Sequence, residues 1–148
     1  MAQYQYPYQK IVDLKKSEKT QAEWELSAAL SKLQTEAHDL EQLEKERASW
    51  QRKLHAASAD IIPLSELQTV QTYLDYLDDC ITKKNQAIRA ARSDVELNQS
   101  RLSVKVKDEK VWLKAKEQAF HRFMHTMQRK EQNELDEIAT VRYMIPAH

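Results

Sequence analysis

The residues of this chain best suited to metal or acid–base chemistry are two histidines and three aspartates. His121 and His125 stand four positions apart, so one helix face would present both imidazoles, and that spacing can bind a metal ion. The sequence has no H-E-x-x-H motif and no cysteine beside them. We therefore interpret both histidines as exposed or partner-facing side chains and predict no metal site.

The three aspartates, Asp75, Asp78 and Asp79, form an acidic cluster next to Cys80. Paired carboxylates act as acid and base only in a pocket that raises one pKa, and paired helices offer no such pocket. We interpret the cluster as a solvated face, with docking of a basic partner as the alternative. Cys80 is interpreted as a small apolar seam residue. Without glycine no phosphate-binding loop can form, so we predict no nucleotide binding and no cofactor. Since none of the groups considered above indicates catalysis, we predict that the protein is not an enzyme.

The composition of the chain predicts long helices. Its 148 residues include no glycine, three prolines and 31% charged residues. Turn-rich folds need glycine where φ is positive, so the turns must be few. Few turns in a sequence rich in Ala, Leu, Lys, Glu and Gln favour long helices.

The second half of the chain carries apolar residues at every seventh position: Leu67, Leu74, Ile81, Ile88, Val95 and Leu102. A four-residue step then leads to Val106, Leu113, Phe120 and Met127, and Leu135, Ile138, Val141 and Ile145 continue the face. Such a repeat keeps one stripe on one helix face, and the step is a stutter that unwinds a supercoil locally. The stripe needs a partner helix to cover it.

The first half of the chain supplies that partner. Apolar residues at steps of three and four run from Ile11 to Leu54, interrupted by Glu18 and Arg47. Pro63 ends the pattern, and Ser65 to Gln68 reads as a capping box. We predict an all-α fold over residues 1–148, a long antiparallel two-helix coiled-coil hairpin with a longer C-terminal helix. Helix one covers about 8–58, the connection about 59–64 and helix two about 65–143.

The length difference leaves part of helix two uncovered. If the chain reverses at Asp60 and Ile61, facing residues have numbers that add to about 121. Trp50 then lies level with Gln71 and Tyr73, and Tyr8 with Trp112 and Leu113. Residues after about 115, the overhang, have no partner within the chain, although they include Phe120, Phe123, Met124 and Met127. We expect the overhang to be basic as well as apolar, because positive charge concentrates over residues 101–130. An exposed apolar stripe of this kind indicates a partner surface, with self-association as the alternative.

Charge and cysteine content limit the choice of partner. Residues 101–130 hold nine Lys or Arg against three acidic residues, but the whole chain has a net charge of zero, which argues against nucleic acid as a partner. One cysteine fits a reducing cytosol. The sequence shows neither a signal peptide nor an 18-residue apolar stretch, so we expect no transmembrane segment.

Three segments resemble the FliJ family of flagellar type III export proteins, which is related in shape to the YscO-like stalk proteins. They are Y-Q-Y-P-Y-Q-K-I-V-D-L-K-K-S-E-K at 4–19, I-I-P-L-S-E-L-Q at 61–68 and R-K-E-Q-N-E-L-D-E-I-A-T-V-R at 129–142. The resemblance implies a cytoplasmic stalk, peripheral at the cytoplasmic side of the cell membrane. Its termini enter the ring of the flagellar export ATPase hexamer and promote ring assembly and activity. It also touches the cytoplasmic domain of the export-gate membrane protein and handles export chaperones.

The resemblance also implies two binding sites. The export-gate site, the tip patch, comprises Leu43, Glu46, Trp50, Tyr73, Leu77, Cys80 and Lys84. The ATPase site at the termini comprises Tyr6, Tyr8, Ile11, Leu14, Phe120, Phe123, Met124, Met127, Leu135 and Arg142. Two other functions remain open from the residues alone: a generic cytoplasmic coiled-coil scaffold or tether, and a basic helix that associates with RNA or lipid.

Overall fold

The structure, a computed structural model, describes residues 4–59 and 61–144. Within these ranges the regular elements are two helices, α1 (Gln9–Ala57) and α2 (Leu64–Met144). They pack against each other, which confirms the predicted all-α hairpin, and each helix end lies within one residue of its predicted position. Asp60, Ile145 and Pro146, which entered the sequence predictions, lie outside the described residues.

Backbone carbonyls just before each helix cap its first turn. The Tyr8 carbonyl accepts hydrogen bonds from the amides of Ile11 and Val12, at 3.0 and 3.2 Å. The Pro63 carbonyl accepts from Glu66 and Leu67, at 3.1 and 3.5 Å. The predicted capping box at Ser65 is therefore wrong: α2 begins one residue earlier, and Ser65 already lies within its first turn.

The connection between the helices needs no glycine. The Ser58 amide donates to the Leu54 carbonyl at 3.0 Å and closes the last turn of α1. No residue in the described part of the chain has a positive φ. The described residues of the connection therefore do not use the backbone conformation that glycine favours.

The chain forms two compact units. Unit one contains Met1–Thr20 and Val104–His148, and unit two contains Gln21–Ser103. In α2 the boundary falls inside the four-residue step between Leu102 and Val106. The stutter in the sequence therefore marks the division between the units.

The core of unit two confirms the predicted stripe and adds a second one. Leu74, Ile88 and Val95 are buried, and the other members of the seven-residue series are half-buried. Three positions after members of that series lie Leu77, Ala91 and Asn98, which are all buried. Alternating steps of three and four place both series in one helix-facing seam.

The α1 side of unit two uses smaller side chains. Ala22 and Ala29 are buried, whereas Leu26, Leu33 and Leu40 are half-buried. These positions again alternate by three and four, as the apolar pattern of helix one predicts. On α2, Leu77 has the lowest side-chain exposure in the described chain, at 1%.

We predict that Leu77→Ala lowers the free energy of unfolding by about 2–5 kcal/mol, because the change removes a fully buried side chain and leaves a cavity. Urea denaturation followed by helical circular dichroism measures this. The matched control is Leu97→Ala on the same helix, where Leu97 is 49% exposed. The control should stay within about 0.5 kcal/mol of the unmodified chain. Equal losses in the two variants would contradict this packing.

Candidate partner-binding surfaces

The tip patch lies within unit two, where α1 and α2 bring its aromatic residues together. The Trp50 and Tyr73 rings meet edge to face with centroids 5.3 Å apart, at the level predicted from chain reversal. The Tyr73 hydroxyl donates a hydrogen bond to the Glu46 carboxylate. This bond, followed by burial, raises the pKa of the Tyr73 phenol. Lys53 lies 4.6 Å from the centre of the Trp50 ring.

Members of the tip patch differ in how accessible they are. Leu77 is buried and packs the helix pair, so its side chain is not available to a docked partner. Leu43, Trp50, Tyr73 and Cys80 are half-buried. Of the seven tip-patch residues, only Glu46 is exposed. The surface that a partner can reach is thus the aromatic edge beside Glu46.

Tyr76 extends this aromatic edge and was missed in the sequence. Its ring centroid lies 6.0 Å from that of Tyr73, and its side chain is 60% exposed. Both tyrosines line an open groove of about 580 Å³. The other lining residues are Ser65, Gln68, Thr69 and Thr72. The spacing Tyr73–Tyr76 carried the signal, since residues three apart share a helix face.

Lys84, another tip-patch residue, is engaged by α1. Its ammonium group lies 2.9 Å from a Glu36 carboxylate oxygen and 3.5 Å from an Asp39 oxygen. The hydrogen bond to Glu36 raises the pKa of Lys84, against the opposing effect of burial. Arg47 likewise pairs with Asp78 across the helices. Arg47 is one of the two residues that interrupt the apolar pattern of helix one, and this ion pair satisfies its charge.

The second predicted surface lies in unit one and combines the start of α1 with the last part of α2. Tyr8 lies against Trp112 with ring centroids 6.3 Å apart, as predicted, and Tyr6 lies 5.8 Å from Tyr8. Ile11 is half-buried, and Leu14 is exposed. The start of α1 therefore presents Leu14 beside an aromatic contact with α2.

Tyr4 covers part of α2 that was expected to be uncovered. Its ring centroid lies 5.3 Å from that of Phe120 and 4.9 Å from that of Phe123. The expectation that residues after about 115 have no partner is therefore wrong for these two phenylalanines. The prediction assumed that the N-terminal residues rise by about 1.5 Å each, as in a helix. Residues outside a helix can span about 3.3 Å each, so Tyr4 reaches further along α2 than predicted.

Beyond Met127, α2 has no cover in the part of the chain that the structure describes. Every residue from 128 to 144, the uncovered segment, is exposed. Leu135, Ile138 and Val141 fall at steps of three and form an apolar stripe on it. Of the other predicted contacts, Met124 and Arg142 are exposed and Met127 is half-buried.

The charge of the uncovered segment differs from the expected basic overhang. Its basic residues are Arg129, Lys130 and Arg142, and its acidic residues are Glu131, Glu134, Asp136 and Glu137. The basic excess of residues 101–130 lies instead mainly beside the start of α1, where Lys105 contacts Glu18 at 3.3 Å. The prediction that exposed apolar surface and positive charge coincide is wrong for residues 128–144.

Ion pairs also join the helices in unit one. Lys19 donates to the buried carboxylate of Glu109 at 3.0 Å. Lys15 lies 2.9 Å from Asp108, and this hydrogen bond raises the pKa of Lys15. Glu109 was not identified in the sequence, because an acidic residue carries no apolar signal.

The residues first considered for chemistry are dispersed. His121 lies 3.7 Å from Glu117, and both are exposed. Cys80 is a free thiol. The described residues contain no group of three or more His, Cys, Asp or Glu side chains suited to a metal ion. No helix in the described chain is both long and apolar enough to span a membrane.

Comparison with known proteins identifies the family. The family model described as flagellar FliJ protein matches residues 4–147. The flagellar FliJ protein of Bacillus subtilis (strain 168) is 26% identical over 146 residues, which cover 98% of this chain and 99% of that protein. The chain belongs to the FliJ family. A solved structure described as a YscO homologue from Chlamydia trachomatis shares the fold, with a TM-score of 0.70 at 19% identity, over 95% of this chain and 96% of its own.

Membership of the FliJ family makes this chain a component of flagellar type III protein export. It confirms the resemblance drawn from the three segments of sequence. The FliJ family is a non-catalytic part of that apparatus. Function must therefore be sought in the surfaces that the chain presents to partners.

We predict that Lys84→Glu and Glu36→Lys each lower the melting temperature of this FliJ-family chain, and that the double variant recovers most of the loss. Each single variant places like charges in a half-buried seam, and the double variant restores an opposite pair. A double variant no more stable than the single ones would contradict the pairing.

The pH dependence of the same site follows from the raised pKa of Lys84. A raised lysine pKa stabilises the fold below its ordinary value of 10.5, and this stability is lost as pH rises through the higher folded value. The difference in melting temperature between the unmodified chain and Lys84→Met should therefore stay constant from about pH 7 to 9 and shrink above about pH 10.5. A difference that disappears near neutral pH would exclude the lysine as its source.

Proposed function

We propose that this chain is a stalk that inserts its two termini into the ring of the flagellar export ATPase hexamer and promotes ring assembly and ATP hydrolysis. The same chain would link the ring to the cytoplasmic domain of the export-gate membrane protein and to export chaperones. This role puts it at the cytoplasmic side of the cell membrane as a peripheral component. The observation that carries the proposal is the uncovered segment, a continuous helix with every residue exposed.

The uncovered segment has the properties of a helix that awaits a surrounding partner. Leu135, Ile138 and Val141 expose apolar surface to water, and full burial of such side chains is worth about 1.5–3 kcal/mol each. A single helix is about 10–12 Å wide, a size that fits the axis of a protein ring. The uncovered segment carries both acidic and basic side chains, so it suits a partner surface that also carries charges of both signs.

Both chain ends can act together because they belong to the same unit. Unit one holds the start of α1, with Tyr6, Tyr8, Ile11 and Leu14, and the end of α2. The contact between Tyr8 and Trp112 fixes one to the other. We therefore assign the ATPase-binding role to this pair of segments, from Tyr6 to Leu14 and from Phe120 to Arg142.

The tip patch is the proposed contact for the export gate. Its accessible part is the aromatic edge formed by Trp50, Tyr73 and Tyr76, with Glu46 beside it. Partly exposed aromatic residues of this kind are favoured anchors at protein interfaces. We add Tyr76 to the patch and omit Leu77, whose burial gives it a packing role.

We predict that the double variant Leu135→Gln/Ile138→Gln needs at least about ten times more protein to half-maximally stimulate the export ATPase, because it loses two apolar contacts. The assay is a titration of the full-length chain into the cognate ATPase, with hydrolysis and ring formation measured. Thermal unfolding should be unchanged, since both side chains are exposed.

The matched control is Asn133→Gln/Thr140→Gln, which makes two exposed changes on the opposite face of the same helix. It should stimulate the ATPase like the unmodified chain. Stimulation that is lost equally in both variants would show a general effect on the helix. No stimulation by the unmodified chain would reject the stalk proposal and leave the tether function.

We predict that Tyr76→Ala weakens binding to the cytoplasmic domain of the export gate by about ten-fold or more, as removal of an aromatic anchor does at other interfaces. Isothermal titration calorimetry with the isolated gate domain gives the affinity. Trp24→Ala is the control, because Trp24 is also an exposed aromatic residue of unit two, at 68% exposure. If Trp24→Ala weakens binding and Tyr76→Ala does not, the gate contact lies elsewhere in unit two.

A further inference from the structure

The N-terminal arm, residues 4–8, places an aromatic residue on the surface proposed to bind the ATPase. Tyr4 packs on Phe120 and Phe123, with ring centroids 5.3 and 4.9 Å apart. Tyr4 itself is half-buried. Two residues of the proposed ATPase site are thus already engaged within the chain.

The hydroxyl group of Tyr4 lacks a hydrogen bond to any described residue in the position that the ring takes on α2. Its hydroxyl oxygen is buried and has no hydrogen-bond partner in the described chain. A buried hydroxyl without a partner opposes its own burial, by at least about a five-fold factor in an equilibrium constant. The aromatic rings attract Tyr4, while its hydroxyl favours return to water.

The rest of the arm is anchored separately from Tyr4. The Gln9 amide donates to the Tyr6 carbonyl at 3.1 Å, and Tyr8 packs on Trp112. Tyr4 lies outside α1, beyond these anchors, so it can leave its seat without unwinding the helix. The neighbouring Gln5 side chain is exposed.

We propose that the N-terminal arm is an intramolecular placeholder: Tyr4 covers Phe120 and Phe123 in the free chain and is displaced when the ATPase binds there. This inference rests on the proposed function and adds regulation to the same site. The arm shields two aromatic residues from water and from unspecific contacts. Its unpartnered hydroxyl keeps the closed state weak enough for a partner to open it.

Two variants of Tyr4 should act in opposite directions. Tyr4→Phe removes the unpartnered hydroxyl and tightens the seat, so the melting temperature rises, and half-maximal ATPase stimulation needs at least about five times more chain. Tyr4→Ala removes the ring, so the melting temperature falls, and less chain is needed for the same stimulation. Both variants are measured in the full-length chain by thermal unfolding and ATPase titration.

Gln5→Ala, a change at the exposed neighbour, is the control and should alter neither property. A Tyr4→Ala chain that stimulates less than the unmodified chain would overturn the inference, because Tyr4 would then belong to the binding surface. Stimulation equal in all Tyr4 variants would also overturn it. Absence of stimulation by the unmodified chain would instead reject the proposed function, and unchanged melting temperatures in both variants would reject the seat itself.

Discussion

Ion pairs within the helix seam determine which residue of α1 faces which residue of α2. Lys84 with Glu36 and Arg47 with Asp78 do so in unit two, and Lys19 with Glu109 does so in unit one. A purely apolar seam with a seven-residue repeat tolerates a slip by seven residues, since the stripes still coincide. Charged residues in half-buried positions oppose such a slip, because it would leave them unpaired.

The register that these pairs select also builds both proposed binding surfaces. In unit two it brings Trp50 to Tyr73 and leaves Tyr76 at the edge of an open groove. In unit one it brings Tyr8 to Trp112. A slip of one repeat would separate these aromatic pairs. The ion pairs of the seam therefore support the geometry of the proposed partner surfaces as well as the fold.

The fold could be predicted because its signals are periodic and apolar. Six residues spaced by seven, from Leu67 to Leu102, identified the stripe, and a reversal placed at Asp60 and Ile61 gave the level of Trp50 and Tyr73. The second series in the seam was missed because Asn98 is polar, Ala91 is small and Lys84 is charged. The contact of Tyr4 was missed because spacing within helices does not measure the reach of a non-helical arm. The acidic residues near the end of α2 were missed because the charge was counted only over residues 101–130, and all four of them follow residue 130.

The uncovered segment has a consequence for the entropy of binding. A separate 17-residue helix would be marginal in water, because the first turn is costly to form. Here the segment continues a helix that is already nucleated in its packed part. A side-chain hydrogen bond from Gln132 to Asp136, one helical turn apart, adds local stability. A partner therefore meets a helix that is already ordered. Binding therefore loses less conformational entropy from ordering this segment, and a larger part of the contact free energy appears as affinity.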